Sequence, residues 1–527
     1  MAEPESAAVL HSELRRDVSV YGSYMWGYAA VGADIYTALG IITLAALGLA
    51  PVAFLVAGLV FALVGLCYAE LASAYPLAGG GQYFTLRGLG DFWGLVAGAA
   101  LVLDYTIDIS LFAVVALGYF NYFLPYLTFG HHALDFMVTL GPIHLAWLWL
   151  LETLAGIVLL VWLNVRGIRI STGFNEIVGT IAIFAQWVIV VAGFLLVWKP
   201  ELLIHQFVYD RPSLSRLAFG ASLAIIAFVG LETISQVAQE TRRPATIIPR
   251  TSIGLVISVL VFAMAFSVLA VGMLHPSDFR NHEGDAVALI AQHIPVIGVV
   301  AAPFTAAVGA LIVYISANSG VVSASRLSYS MSQFQLLPRW FTKINPKYAT
   351  PARAIMVFSG IAILQTLFAF FTPGPAGKTA AIDVLADLYA FGATTGYLLV
   401  FISLFALRLY DPYTPRPYRM PLNVQMTFKG RPVWFPVLGA LGFLGVLFFL
   451  AMVILTHDYA RIVGPIWVAA AIVIYILYRR RRGYPLFRSI PRDWETATRR
   501  VLKEAEEFRS LEEYEAALAE RDAVSGS

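Results

Sequence analysis

Four acidic side chains lie inside otherwise apolar segments, and they are the residues best placed to do chemistry. Asp34 and Glu232 each end a Val-Gly-x-acid pattern, and Asp104 and Asp108 lie four residues apart. A carboxylate at the centre of a membrane costs at least about 2.5–3.5 kcal/mol unless it faces a cavity or a partner. Two carboxylates one helical turn apart repel, so at least one should carry a proton or pair with a cation. The alternative is a structural hydrogen-bond network to neighbouring helices.

The segments that carry these acids are predicted to be membrane helices. The chain is 59% hydrophobic and 13% charged, with a mean hydropathy of +0.75, which is typical of a polytopic membrane protein. Residues 1–20 are polar, and no cleavable signal is expected. Cys67 is the single cysteine, which excludes disulfide frameworks and cysteine-based metal or haem sites. The apolar segments number twelve: 21–48, 50–75, 92–124, 143–163, 174–198, 215–237, 251–274, 296–325, 352–372, 381–407, 433–455 and 460–478.

The basic residues predict the orientation of these helices. If the N-terminus is cytoplasmic, 22 of the 35 Lys and Arg, including Arg479 to Arg482, fall at inside ends and loops, six fall outside, and the remaining seven follow Arg482. This asymmetry predicts that both termini are cytoplasmic, in the plasma or inner membrane. The tail, 479–527, is predicted to contain an amphipathic helix, in which Trp494, Val501 and Phe508 recur every seven residues. Because Glu515 ends this run, docking on the protein's own cytoplasmic face is favoured over a coiled coil.

The two Val-Gly-x-acid patterns predict interrupted helices. Gly32 and Gly230 should each break a helix at mid-membrane, with the two breaks adjacent, as in transporters built from inverted repeats. Residues 75–83 contain too many helix breakers to continue the second helix and should form a turn or a short re-entrant element. Asp383 and Asp387 fall in the outer part of the tenth segment, where a solvated vestibule is expected.

Four motifs together resemble the amino acid–polyamine–organocation superfamily. They are 31–36; Tyr75-Pro76 with 79–83; 228–232 with Glu240-Thr241 and Pro244; and Ser325-Arg326 with Tyr329, Met331, Leu337-Pro338 and Pro351. The resemblance implies an all-α fold of the LeuT type, with inverted repeats at 21–198 (helices 1–5) and 215–407 (helices 6–10) and two more helices at 433–478. It also implies alternating access around a substrate held at the broken first and sixth helices.

The chain departs from the superfamily pattern at two positions. Asp34 stands where members usually carry a glycine beside the substrate's backbone contacts. The lysine that some members place in the fifth helix, in lieu of sodium, would align near Ala182, and that segment has no lysine. The eighth segment offers the scattered serines Ser316 and Ser319 rather than an adjacent hydroxyl pair. Proton coupling through one of the acids is therefore favoured over sodium coupling.

The predicted function is secondary active transport of an amino acid or a cationic amine, without a cofactor. The residues expected to contact the substrate are Gly32, Ala33, Asp34, Ile35, Tyr36, Asp104, Tyr105, Asp108, Phe228, Gly230, Leu231 and Glu232. Potassium uptake is one alternative, because several acids would suit a bare cation. A non-transporting sensor or scaffold that works through its tail is another. An enzyme is disfavoured, because the sequence shows no metal-ligand cluster and no nucleophile–base arrangement.

Overall fold

The structure is a computed structural model of the 527-residue chain. It describes residues 19–77, 79–127, 136–166, 172–209, 212–236, 238, 241, 243–348, 350–374, 378–428 and 431–525. Almost all of the predicted N-terminal segment 1–20, as well as Glu240 of the third motif, lies outside the described residues. Within them the protein is mostly helical.

The first half of the chain contains nine helices in the described residues. They are α1 (Val20–Val31), α2 (Asp34–Ala46), α3 (Ala50–Ala74), α4 (Gly80–Leu89), α5 (Asp91–Phe120), α6 (Leu124–Leu127), α7 (Trp147–Val165), α8 (Thr172–Leu196) and α9 (Pro200–Tyr209).

The second half contains eleven described helices. They are α10 (Leu214–Leu223), α11 (Glu232–Gln236), α12 (Pro244–Met273), α13 (Ala286–Gln292), α14 (Gly298–Gln333), α15 (Ala352–Phe370), α16 (Ala381–Tyr410), α17 (Val437–Thr456), α18 (Ala460–Arg482), α19 (Trp494–Glu504) and α20 (Phe508–Ser525). A 3₁₀ segment, Ala224–Phe228, follows α10 directly.

Eleven segments of the described chain are long and apolar enough to cross a membrane. The first, Val20–Ala74, is 55 residues long and contains α1, α2 and α3. The chain is therefore a multi-pass membrane protein, as its composition predicts.

Two hairpins end within segments that were predicted to be helical. Strand β1 (Met137–Leu140) pairs with β2 (Ile143–Ala146), and β3 (Asn423–Phe428) pairs with β4 (Arg431–Pro436), both antiparallel. The predicted helical segments 143–163 and 433–455 thus start as strands and become helical at α7 and α17. Apolar runs of this length do not distinguish a strand from the start of a helix, which explains the error.

The loop at 75–83 does not continue the second helix, as predicted, because α3 ends at Ala74. It turns into the ten-residue helix α4 at Gly80. Gly79 and Gly80 have φ angles of 120° and 49°, in the region that glycine adopts without steric cost. The turn is therefore confined to the residues before α4.

Helix α5 is the centre of the helix bundle. Its most apolar 18-residue window is 94% buried. Two glycines let neighbouring backbones approach it closely: a Cβ at Gly320 of α14 would lie 2.7 Å from the Cβ of Asp108, and one at Gly392 of α16 would lie 3.0 Å from the backbone N of Asp104. Helices α14 and α16 therefore pack against α5 at the turn that carries the two acids.

The C-terminal tail packs on one face of the bundle, which we call the tail face. The Trp494 ring lies 6.0 Å from that of Tyr83 and 5.9 Å from that of Phe334. Buried Asp91, the first residue of α5, forms ion pairs with Arg479 at 2.7 Å and with Arg492 at 2.5 Å. The turn between α17 and α18 lies on the opposite face, the distal face, because the 23 residues of α18 extend for about 35 Å.

Candidate substrate site at two interrupted helices

The first helical interruption lies between α1 and α2. Gly32 and Ala33 keep near-helical angles, but the amide of Tyr36 bonds the carbonyl of Ala33, three residues back, at 3.0 Å. A Cβ at Gly32 would lie 2.6 Å from the ring of Tyr28, so the glycine is required for this close contact. The break is thus a local tightening of the helix, after which α2 begins at Asp34.

Neutral side chains bond the carbonyls that this interruption exposes. Ser316 Oγ of α14 donates to the carbonyl of Ala30 at 3.0 Å. Gln186 Nε2 of α8 donates to the carbonyl of Gly32 at 3.4 Å, and its Oε1 accepts a 2.7 Å bond from the Tyr28 hydroxyl. Sequence reasoning missed Gln186. The available signal was its position, one helical turn beyond Ala182, as a polar residue within an apolar segment.

The second interruption separates α10 and its 3₁₀ extension from α11. Val229 is extended, with ψ of 153°, and Gly230 has φ of 108°, which a side chain would strain. A Cβ at Gly230 would also lie 3.2 Å from Val31 Cγ2 and 3.4 Å from the backbone of Ala30. The two breaks therefore contact each other, and both helices lose regular hydrogen bonding near the two predicted glycines.

All four acids are buried at this junction. Asp34 is the first residue of α2 and Glu232 the first of α11, and both are 0% exposed. Asp104 and Asp108 lie on successive turns of α5, 0% and 3% exposed. Asp34 interacts electrostatically with Asp108 and Glu232, and Asp104 interacts with all three of the others. The structure thus brings the four acids into one cluster.

Tyrosine hydroxyls contact two of these acids. Tyr397 of α16 donates to Glu232 Oε2 at 2.8 Å, and the Tyr389 hydroxyl of the same helix faces Asp108. The carboxylates of Asp104 and Glu232 face each other, and an ionised carboxylate can only accept a hydrogen bond. Both tyrosines were absent from the predicted site, because nothing in the sequence distinguishes them from other buried tyrosines.

Most oxygens of these carboxylates have no hydrogen-bond donor among the described residues. The unpartnered atoms are both oxygens of Asp34, both oxygens of Asp104, Oδ1 of Asp108 and Oε1 of Glu232. A buried polar group normally has a partner, because leaving one unmade costs about 1–3 kcal/mol and more for a charge. Such a cluster can bind a cation or protons.

The other predicted site residues are all buried, in different surroundings. The backbone carbonyl of Tyr36 accepts a 2.9 Å bond from Tyr119, and the Tyr105 hydroxyl accepts a 3.1 Å bond from Gln236. Phe228 instead packs against α3, with its ring 5.2 Å from that of Phe61. Ala33, Ile35 and Leu231 complete the buried set.

These features define a multi-pass membrane protein with two adjoining interrupted helices around a buried acidic cluster. A family model described as "Amino acid permease" matches residues 23–478. The chain belongs to this family, which confirms the resemblance drawn from the motifs.

Several curated proteins are similar over most of the chain. The branched-chain amino acid permease BcaP of Bacillus subtilis is 27% identical over 89% of this chain and 94% of its own length. The methylthioribose transporter of the same organism is 26% identical over 91% and 97%. Cationic amino acid transporter 1 of Arabidopsis thaliana is 26% identical over 76% and 64%. These relatives are transporters, so the chain is a membrane transport protein and not an enzyme.

Proposed function

We propose that this protein is a secondary active transporter of an amino acid or a cationic amine, and that its four buried acids hold the positive charge of the substrate. The observation that carries the proposal is the cluster of unpartnered carboxylate oxygens at the two helix interruptions. An ammonium group brings three N–H donors and a positive charge. It would satisfy several of these oxygens at once and offset the cost of burying them.

The position of the acids supports a substrate with excess positive charge. In transporters with discontinuous helices, half-helix N-termini point at anionic groups of the substrate. Here the first residue of α2 is Asp34, so a carboxylate of the protein already lies at the positive end of that helix. Glu232 likewise accepts bonds from its own amide and from that of Gly230. Lysine, arginine or a diamine would therefore suit the site better than a neutral amino acid.

The names of the relatives suggest candidate substrates but do not select one of them. Their names cover branched-chain amino acids, methylthioribose and cationic amino acids. A cationic substrate agrees with the buried acids and with the third of these names. We therefore assign the chain to amine-bearing substrates with net positive charge.

Twelve membrane helices and alternating access complete the proposed mechanism. The Val20–Ala74 segment would be about 80 Å long as one helix, more than twice the roughly 30 Å of a bilayer core. Leu47, with φ of 50°, interrupts it before α3. Counting α1–α2 and α3 as two crossings makes twelve helices, with the breaks in the first and sixth. This count supports the LeuT-type arrangement of two five-helix repeats plus two helices, with both termini cytoplasmic.

A proton is the favoured coupling ion. The carbonyls exposed by the first interruption are bonded by Ser316 and Gln186, which are neutral donors. A sodium ion at this position would have to displace both. The facing carboxylates of Asp104 and Glu232, in contrast, can share a proton without any rearrangement.

Uptake into proteoliposomes tests the proposal. The purified protein should accumulate labelled lysine, arginine or putrescine, with leucine and rubidium as competing candidates, under an imposed pH gradient and under a sodium gradient. We expect net uptake of a cationic amine that the pH gradient drives and the sodium gradient does not. Uptake of rubidium alone would instead identify a potassium transporter. Absence of flux for every compound would favour the sensor or scaffold alternative.

A further inference from the structure

On the distal face, outside the acidic cluster, a buried histidine lies between a serine and an aspartate. His457, at the end of α17, is 0% exposed. Its Nδ1 lies 2.9 Å from Asp387 Oδ1 of α16, and its Nε2 lies 2.9 Å from Ser222 Oγ of α10. Three helices thus meet at one imidazole ring, which a sequence that separates these residues by up to 235 positions could not predict.

The Ser222 hydroxyl can serve this ring in two protonation states. Ser222 Oγ also lies 2.8 Å from the carbonyl of Phe219, to which it can donate. When His457 is neutral with its proton on Nδ1, the hydroxyl donates to Nε2. When His457 is protonated on both nitrogens, the hydroxyl accepts from Nε2 and donates to Phe219 instead. In either state Nε2 has a hydrogen-bond partner, and the change requires only rotation of the hydroxyl, whereas Nδ1 lies 2.9 Å from Asp387 Oδ1 without an aligned hydrogen bond.

The same three residue types form nucleophilic triads in hydrolases, which differ in what surrounds the serine. Here Ser222 is fully buried within a helix and packed beneath Phe219, whose ring lies 4.7 Å from that of His457. A substrate carbonyl has no access to Oγ. The three residues therefore do not form a working nucleophile–base pair, in agreement with the prediction that the chain is not an enzyme.

Acidic residues connect this ring with solvent on the distal face. Asp387 has 11% of its side chain exposed, and Asp383, one turn earlier on α16, has 44% exposed. Lys378 lies 3.6 Å from Asp383 and 2.5 Å from Glu283. The expected solvated vestibule therefore holds for Asp383, whereas Asp387 is turned inward against His457. Exposure falls stepwise from solvent to the ring.

The other charged groups nearby have partners of their own, so Asp387 is the carboxylate that interacts with the His457 ring. In the turn between α17 and α18, exposed Asp458 pairs with Arg461 at 2.9 Å, and Tyr459 interacts with Asp387, Asp383 and Asp458. On α10, the guanidinium of Arg216 donates to backbone carbonyls at the end of α2. The groups that face His457 from α10 and α16 are thus a neutral serine and one carboxylate.

We infer that His457 is a proton-binding site that couples proton uptake from the distal face to movement of the interrupted helix that begins with α10. This inference rests on the proposed transport function. A proton that reaches the ring from solvent by way of Asp387 leaves the ring charged: Nδ1 then faces the Asp387 carboxylate, Nε2 donates to the Ser222 hydroxyl, and that hydroxyl donates to the carbonyl of Phe219. Ser222 lies at the end of α10, next to the 3₁₀ segment that leads to the break at Gly230. Asp387 lies on α16, the helix whose tyrosines contact the acidic cluster. Charging the ring strengthens its attraction to α16 and so changes how α10 is held.

The test uses the full chain in proteoliposomes and the variants His457→Gln and Asp387→Asn. Lysine and putrescine uptake is measured against distal-face pH, together with exchange of the same compound at equal pH on both sides. We expect both variants to lose accumulation driven by the pH gradient and to lose one ionisation from the pH profile, while exchange stays within about twofold of wild type. His205→Gln, which removes an exposed histidine, serves as the matched control and should behave like wild type.

Ser222→Ala keeps the ring but removes its rotating partner. The protonated ring loses a charge-assisted bond and the neutral ring a weaker one, so the pH profile should move to lower pH by roughly half to one unit. This variant keeps the inference testable if His457→Gln fails to fold. Wild-type accumulation and pH profile in all three variants would overturn the inference. So would wild-type uptake that does not depend on distal-face pH. Absence of any uptake or exchange by wild type would instead reject the proposed function.

Discussion

Two buried acids in this chain have opposite surroundings, and exchanging each for its amide should have opposite effects. Asp34 has no donor for either oxygen among the described residues. Glu70 of α3 has two donors, Arg408 at 2.8 and 2.5 Å and the amide of Met420 at 2.8 Å, and Arg416 lies 3.4 Å away as a second ion-pair partner. The variants Asp34→Asn and Glu70→Gln each remove one charge and keep the shape of the side chain.

The expected magnitudes follow from these partners. Replacing Asp34 removes a charge that the substrate's ammonium group would bond, which is worth about 1.5–3 kcal/mol, or roughly ten- to hundredfold in Kd. The free energy of unfolding should not fall, because no contact of the folded protein is lost. Replacing Glu70 leaves Arg408 and Arg416 buried with a neutral partner. Breaking a buried pair in this way costs about 3–5 kcal/mol of stability.

The assay measures both quantities on both variants. The affinity for the transported amine is obtained by scintillation proximity in detergent, and thermal unfolding is followed by intrinsic fluorescence. Asp34→Asn should bind weakly and melt like wild type. Glu70→Gln should melt earlier and, where folded, bind like wild type. The exposed Asp458 provides a control, since Asp458→Asn should change neither quantity.

Three results would contradict the assignment of Asp34 as the group that holds the substrate's charge. If Asp34→Asn binds substrate with wild-type affinity, its carboxylate does not hold the substrate's charge. If Asp34→Asn instead melts several degrees earlier, Asp34 is a structural acid whose partners form only in another conformation. A pH profile that flattens while affinity is kept would identify Asp34 as a carrier of the coupling proton instead.

Three further predictions concern parts of the protein outside the membrane helices. Burial and the nearby Asp383 raise the pKa of Glu283 to about 7, so its ionised form opposes folding. The free energy of unfolding of wild type should therefore fall by about 3 kcal/mol relative to that of Glu283→Gln as pH rises through 7. Identical melting curves of the two proteins from about pH 5 to 9 would contradict this. A reporter after Ser527 should be cytoplasmic and one inserted at Gly284 external; both on one side would contradict the topology. Trp494→Ala should release α19, seen as faster hydrogen exchange in that helix with uptake retained, whereas loss of uptake would make the tail part of the transport mechanism.

Much of the fold could be predicted from the periodicity and length of apolar segments. Gly32 and Gly230 could be identified as break points because a glycine beside an acid in an apolar helix is costly unless it serves a purpose. The hairpins β1–β2 and β3–β4 could not, because short apolar runs fit strands and helices equally well. Local pattern therefore predicted the helices and missed the pairing that precedes α7 and α17.

The partners of the candidate site could not be predicted in the same way. Gln186 and Tyr397 reach the two interruptions from α8 and α16, elements that only tertiary packing brings there. The contacts of His457 with Ser222 and Asp387 likewise depend on the packing of three helices against one another. A single sequence carries the chemical type of such residues but not their distance from one another, so residues that act through long-range contacts remain hidden.

The described basic side chains pair with acids elsewhere in the protein but not with the four acids at the helix interruptions. On the tail face, Glu70, Asp91 and Asp411 each have arginine partners within 2.5–2.9 Å, and on the distal face Glu283 has Lys378. Among the described ion pairs, none involves the four acids at the helix interruptions. The described part of the chain therefore supplies a basic partner to Glu70, Asp91, Asp411 and Glu283 but not to these four carboxylates. Since a buried carboxylate is stable only with a proton or a positive partner, the proposed function assigns that role to the charge of the substrate or to a coupling proton. A cationic substrate and a coupling proton would compete for the same oxygens, and that competition is a direct physical route to exchange one for the other.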